Sequence, residues 1–249
     1  MAIELLHGDC LELMPSIPDK SIDMILCDLP YGTTACKWDV IIPFEPLWKE
    51  YNRVIKDRGC IALFGSEPFS SYLRMSNIKK YKYDWIWIKS QSRGFLNSWK
   101  QPMRNVETIS IFYNKQCNYY PILKNKPKKN IRPLSGRSAS DNYGKYKNGK
   151  EERKCPIEKS MPNQILKFNN QQEYLHPTQK PVTLLEYLIK TYTFENETVL
   201  DNCMGSGSTG VACINTNRNF IGIEKDDKYF EIAKNRIEES REAKKELLF

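Results

Sequence analysis

No apolar run in this chain approaches the roughly 20 residues that a membrane-spanning helix needs, so no membrane partner is expected. Histidine is scarce, with only His7 and His176. The eight cysteines, at positions 10, 27, 36, 60, 117, 155, 203 and 213, contain no CxxC pair. A zinc site is therefore not expected, nor any other metal. No Ser/His/Asp or Cys/His set stands out for nucleophilic catalysis. Cys27, Cys60, Cys203 and Cys213 fall in predicted strands, turns or helices, where free buried thiols sit in a reducing compartment. The first residues carry an early acid, Glu4, and read as a strand rather than a signal peptide, which points to the cytoplasm. There is no internal repeat.

What is present is enough for a core. The 249 residues are 40% hydrophobic and 12% aromatic, which fits one α/β domain with an insertion or two small domains. The net charge of +8 is localised. Residues 121–175 hold 13 Lys/Arg against 5 Asp/Glu, so this segment carries the whole surplus and the remainder is neutral. A local basic block implies a polyanionic partner at that block; a solvated Lys-rich loop is the bland alternative.

Periodicity supplies the frame. Residues 3–7 and 21–27 read as strands around a short helix over 10–14. A helix spans 45–57 with Leu47, Trp48, Tyr51, Val54 and Ile55 on one face, followed by a buried strand over 59–64 and a helix over 67–75. Residues 83–89 and 107–113 read as an aromatic, β-branched strand pair. The pattern breaks over 115–175, which is too long for a structureless loop in a compact domain. It resumes with the helical face Val182, Leu185, Leu188, Ile189 and Tyr192, a strand over 197–201, a glycine turn, a helix from 211, a strand over 219–224 and a charged final helix over 226–247. Alternating strands and helices give an α/β sheet covered on both faces.

Two motifs carry chemistry. Asp28-Leu29-Pro30-Tyr31 follows the apolar run 22–27, so a carboxylate, a turn and an aromatic ring sit at the end of a buried strand. That trio can hold a planar amine, although a turn Pro behind a helix-capping Asp reads equally well. Gly205, Gly207 and Gly210 match GxGxxG between a strand and a helix, and Glu224 ends the next strand, where an acid can accept the hydroxyls of a ribose. No Lys follows these glycines, which disfavours a phosphate-cradling P-loop. Asp201 at the preceding strand end would repel a pyrophosphate and favour a cationic ligand. The turn thus suits S-adenosylmethionine better than a dinucleotide.

This order resembles the DNA amino-methyltransferases of the permuted beta group, over nearly the whole chain outside residues 121–175. The resemblance rests on Asp28-Leu29-Pro30-Tyr31, on His176-Pro177-Thr178-Gln179-Lys180-Pro181, on Asp201-Asn202-Cys203-Met204-Gly205-Ser206-Gly207, and on the stretch from Trp87-Ile88-Lys89 to Tyr113 with Gly94-Phe95-Leu96-Asn97 inside it. It implies a Rossmann-like, circularly permuted S-adenosylmethionine-dependent methyltransferase sheet. The catalytic half would be residues 1–114, a basic target-recognition insertion 115–175, and the cofactor half 176–249.

The resemblance also implies roles. Asp28 and the Leu29 carbonyl would accept the target amine's hydrogens, Pro30 would fix the turn, and Tyr31 would stack on a base flipped out of the duplex. The family's commonest form has proline where this chain has Leu29. Asp9 would meet the cofactor adenine or cap a helix. Thr178 and Lys180 would meet the methionine carboxylate, Glu224 the ribose, and the backbone at Gly205 and Gly207 the methionine part. Asp201 would approach the amino group or bond the turn, and His176 would be structural. Lys124, Lys126, Lys128, Lys129, Arg132 and Arg137 would meet phosphates of double-stranded DNA. Gly32 to Asp39 would close over the base, with Trp38 either a wedge or, as preferred, part of the core. A restriction-modification setting makes a cognate nuclease and a homodimer compatible partners. The implied reaction is methylation of adenine N6. The alternatives are cytosine N4 methylation, RNA or protein-glutamine methylation, a catalytically idle DNA-binding module of the same fold, and an NAD-dependent oxidoreductase.

Overall fold

The computed structural model describes residues 1–33, 39–127, 156, 158–169 and 179–246. Strands and helices alternate up to β4, and two further strands follow: β1 (Ile3–His7), α1 (Cys10–Leu13), β2 (Ile22–Cys27), α2 (Phe44–Val54), β3 (Ile55–Gly65), α3 (Phe69–Ser76), β4 (Tyr81–Arg93), β5 (Arg104–Phe112) and the short β6 (Lys124–Asn125). Then follow β7 (Lys159–Ser160), β8 (Ile165–Lys167), α4 (Val182–Tyr192), β9 (Thr198–Asp201), α5 (Ser208–Asn215), β10 (Asn219–Glu224) and α6 (Asp227–Glu246). No described helix is long and apolar enough to cross a membrane.

Eight strands form one sheet in the order β1-β10-β9-β2-β3-β5-β4-β8. Neighbours from β1 to β3 pair parallel; β5 runs antiparallel to β3 and β4, and β8 joins β4 parallel. β1 at the chain's start lies beside β10 near its end, so the sheet is circularly permuted: the nucleotide-type glycine turn comes last in sequence. The strand order reverses between β9 and β2, the place where α/β sheets bind ligands beyond their carboxyl ends.

β2 shows why the sheet is covered twice. All six of its residues are buried. Strand geometry sends alternate side chains to opposite faces. Met24 and Leu26 pack into the cluster with α4, α5 and α6 residues, including Leu188, Ile214 and Ile237. Ile25 and Cys27 pack with α1, α2 and α3 residues, including Cys10, Tyr51 and Phe69. The described cysteines are free, and all but the half-buried Cys203 are buried.

The elements follow the sequence with local differences. The expected helix over 45–57 ends at Val54, and β3 starts at once at Ile55. Ile55 is apolar in either period, and the next breaker is Gly59, so periodicity could not separate the two. The helix expected from 211 starts at Ser208. Pro121–Asn163 is a separate compact unit, narrower than the expected insertion over 115–175. Its described part holds the antiparallel pair β6 and β7. Residues 164–169 belong to the main unit, where β8 extends the sheet.

Gly207 carries the tightest local requirement. It caps α5 with φ of +77°, and a Cβ there would lie 3.0 Å from the Ala233 Cβ and 3.1 Å from its Cα. Gly207→Ala therefore combines left-handed strain with a clash against α6. The expected loss of stability is about 1–3 kcal/mol, measurable by denaturant unfolding. A variant as stable as the parent would show that α6 yields without cost.

Candidate active site

The carboxyl ends of β1, β10, β9 and β2 converge on one cavity of about 510 Å³. Asp9, Glu224, Asp201 and Asp28, one from each strand end, all line it, with Leu29, Pro30, Tyr31, Lys180 and Gly205. The sequence assigned these residues to a donor site and an amine clamp, and the fold brings both groups to one opening.

On the cofactor side the acids brace backbone. Glu224 accepts from Gly205 N at 2.8 Å with one oxygen, and from Lys225 N and Asp226 N, both at 2.9 Å, with the other. The glycine turn it holds has Gly205 at φ +52° and Gly207 at +77°. Asp9 caps α1 by accepting from Leu11 N at 3.0 Å, and its second oxygen pairs with Lys225 at 3.0 Å. Burial opposes its charge, but Lys225 and the Leu11 N–H hold its pKa below the ordinary value. Asp201 accepts from the Thr209 hydroxyl at 2.6 Å and Cys203 N at 3.2 Å. Both bonds hold the connection between β9 and α5. A cavity bordered by an acid at each neighbouring strand end and by a glycine-containing turn of small residues fits a nucleoside carrying a cationic arm.

On the catalytic side the charges interlock. Asp28 follows β2, Glu107 lies on β5, and Lys180 precedes α4. Lys180 Nζ stands 2.5 Å from Asp28 Oδ2 and 2.9 Å from Glu107 Oε1. The Tyr31 hydroxyl donates to Asp28 Oδ1 at 2.6 Å, with Glu107 Oε1 at 3.0 Å on its other side. Lys89 on β4 pairs with Glu107 Oε2 at 2.5 Å. Two acids and two cations thus neutralise one another around the Tyr31 hydroxyl. Phe69 backs the Tyr31 ring, stacked at 4.9 Å with 26° between planes.

Burial sets the charges of this cluster. It raises the Asp28 pKa, opposed by the Lys180 ammonium and helped by the nearby Glu107 charge. It would raise Glu107 too, but Lys180 and Lys89 win and hold that acid below the ordinary value. It disfavours the Lys180 ammonium, which the two carboxylates nevertheless keep charged to well above the usual range. Burial and both acids push the Tyr31 phenol far up. Of the two acids, Asp28 is thus held above the ordinary carboxylate range and Glu107 below it.

Lys180 was expected on a donor carboxylate; the structure places it on Asp28 and Glu107. Asp39 accepts from Gly32 N at 2.8 Å and Thr33 N at 2.9 Å. Trp38, Thr178, His176, Lys128, Lys129, Arg132 and Arg137 lie outside the described residues. Lys124 and Lys126 lie in the separate unit, at or beside β6. Glu107 was missed. It belongs to no motif: it is a lone acid in the middle of β5, and its place opposite Trp87 appears only in the ladder.

Asp201 offers a direct check on cavity burial. Burial raises its pKa from 3.8 to about 6, against the Thr209 and Cys203 hydrogen bonds. The folded chain therefore binds this proton more tightly than the unfolded chain. Its contribution to stability is largest below about pH 4, falls as pH rises to about 6, and stays low above, a loss on the order of 3 kcal/mol. The Asp201 carboxyl resonance is expected to titrate near pH 6; a midpoint below 4 would mean the site is wet.

The chain matches the DNA methylase family of N6/N4 type over residues 22–235. It is 28% identical to the type II methyltransferase M.HinfI of Haemophilus influenzae, across 94% of this chain and 68% of that protein. To the type II methyltransferase M2.DpnII of Streptococcus pneumoniae it is also 28% identical, across 96% and 90%. Among solved structures, the M1.HpyAVI–SAM complex aligns with a TM-score of 0.63 and 26% identity, covering 94% of this chain and 99% of that one. The cytosine-N4-specific PvuII DNA methyltransferase shares the fold at a TM-score of 0.66 and 15% identity, covering 97% and 92%. With a family match that runs from β2 into α6, this chain belongs to the N6/N4 DNA methylases.

Proposed function

We propose that the protein transfers a methyl group from S-adenosylmethionine to the exocyclic N6 amine of adenine in duplex DNA, with the base flipped into the Asp28 site. The observation that carries this reading is the placement of the Asp28 carboxylate and Tyr31 ring beside the glycine-turn cavity. Bound there, the donor supplies a methyl group on a cationic sulfur that departs as a neutral thioether.

The chain's own residues do the rest. Asp28 and the Leu29 carbonyl accept the two amine hydrogens, which aims the nitrogen lone pair at the methyl group. The Asp28 charge offsets the positive charge that grows on that nitrogen as the new bond forms. Its raised pKa suits it to receive the proton that the methylated nitrogen sheds. To free the Asp28 oxygen, Lys180 moves onto Glu107, which already lies 2.9 Å away. Glu107 also pairs with Lys89, so after the swap two cations still face two acids and the cluster stays neutral as a whole. Pro30 holds the turn and Tyr31 stacks on the base. Positioning carries most of the rate, because the donor is reactive. On the other side of the cavity, Glu224 takes the ribose, Asp9 the adenine of the donor, and the backbone at Gly205 and Gly207 the methionine part. Thr178 completes that contact set.

An Asp at position 28 favours adenine, since many cytosine-N4 enzymes have Ser there. The basic unit docks the duplex, with Lys124, Lys126, Lys128, Lys129, Arg132 and Arg137 on phosphates.

Methylation of a long duplex with labelled donor, followed by nucleoside analysis, is expected to give N6-methyladenine; N4-methylcytosine would overturn the adenine assignment, and unlabelled DNA the whole reading. Asp28→Ala is expected to cost about 10²–10³-fold or more in transfer, with donor binding largely retained. Duplex affinity should fall with a log–log salt slope of about −0.9 for each phosphate contacted; a flat response would remove the basic unit from the DNA surface.

A further inference from the structure

β4 and β5 continue past the catalytic cluster as an arm. Their ladder pairs Trp87 with Glu107 and Ile88 with Val106, then resumes with Arg93 opposite Arg104. Gly94, at φ +89°, turns the chain into a single 3-10 turn, Phe95–Asn97. Every residue over 90–106 is exposed. Among them are large apolar side chains: Trp99 is 100% exposed, Leu96 83% and Phe95 70%. The same stretch carries Arg93, Lys100 and Arg104 and no acid.

Single exposed apolar residues are ordinary, but a cluster of them marks a binding surface. The mixture decides the partner. Interfaces between proteins are depleted in charge at their centres. Aromatic rings interleaved with cations, without acids, match a polyanion whose bases can stack. The root of the arm decides the position. Lys89 and Glu107 flank it, joined at 2.5 Å, and Glu107 touches both Tyr31 and Lys180. A duplex whose base reaches Asp28 therefore passes the arm. Flipping leaves a hole in the base stack, and an apolar side chain inserted there recovers part of the unstacking cost.

We propose that the arm over residues 90–106 is a second DNA-contacting surface, with Trp99 entering the gap left by the flipped base and Lys100 and Arg104 on flanking phosphates. The proposal rests on the reading that Asp28 holds a flipped base. Binding and transfer keep the two apart. Asp28→Ala should retain duplex affinity and lose transfer, whatever the arm does.

Trp99→Ala should weaken binding of a plasmid duplex on the order of 10- to 100-fold, the size of one lost stacking contact. Its salt slope and its thermal unfolding should be unchanged, since the indole packs on nothing. The double variant K100A/R104A should instead flatten the salt slope by roughly 1.8, at about 0.9 per phosphate. Duplex affinity and slope equal to the parent in both variants would overturn the proposal. So would a change of oligomeric state by sedimentation with duplex affinity intact, which would make the arm a contact between copies of the chain.

Discussion

A buried carboxylate needs a partner, and the site depends on that constraint at Asp28. The partner, Lys180, lies 152 residues away in sequence, at the start of the cofactor half. Their pairing ties the amine clamp to the donor half across the sheet's switch point. Glu107 makes the pairing usable. With one acid, an ammonium at 2.5 Å would block the oxygen that the substrate amine needs. With two, the ammonium has a second seat 2.9 Å away, and Lys89 keeps that seat anionic. The cluster is thus neutral before and after the amine enters, which avoids the cost of stranding a charge in a dry site.

The two sides of the cavity use acids differently. Glu224 and Asp201 spend much of their accepting capacity on the glycine turn, fixing its backbone before any ligand arrives. Preorganisation of this kind lowers the ordering cost of binding. Asp28 and Glu107 are held by side chains that can exchange partners. The first arrangement suits a ligand recognised by shape, the second a group that must be gripped and released. The arm extends the β4–β5 ladder outward, so the charged cluster at Lys89 and Glu107 stands at its foot.

Much of this was legible in the sequence because it depends on local order. β1 and β10 match the expected spans residue for residue, since each is a short apolar run bounded by turn residues. Asp28, Tyr31, Asp201 and Glu224, which line one cavity, could be singled out because residues at strand ends fall into motifs. Glu107 left none. Its role arises from side chains that only the fold brings to it, Tyr31 from the turn after β2 and Lys180 from the segment before α4, and a lone acid beside β-branched residues looks like an edge position until the ladder is known. Lys180 was noticed, but its partner was not, for the same reason. β8 has three residues, too few to show a period, so the insertion seemed longer than the compact unit proves to be.

The partner exchange at Asp28 can be observed directly. A crystal structure with S-adenosylhomocysteine and a cognate duplex should show the target amine on Asp28 and the Leu29 carbonyl, with Lys180 Nζ displaced onto Glu107. Lys180 still seated on Asp28, with the flipped base held by other groups, would contradict the account.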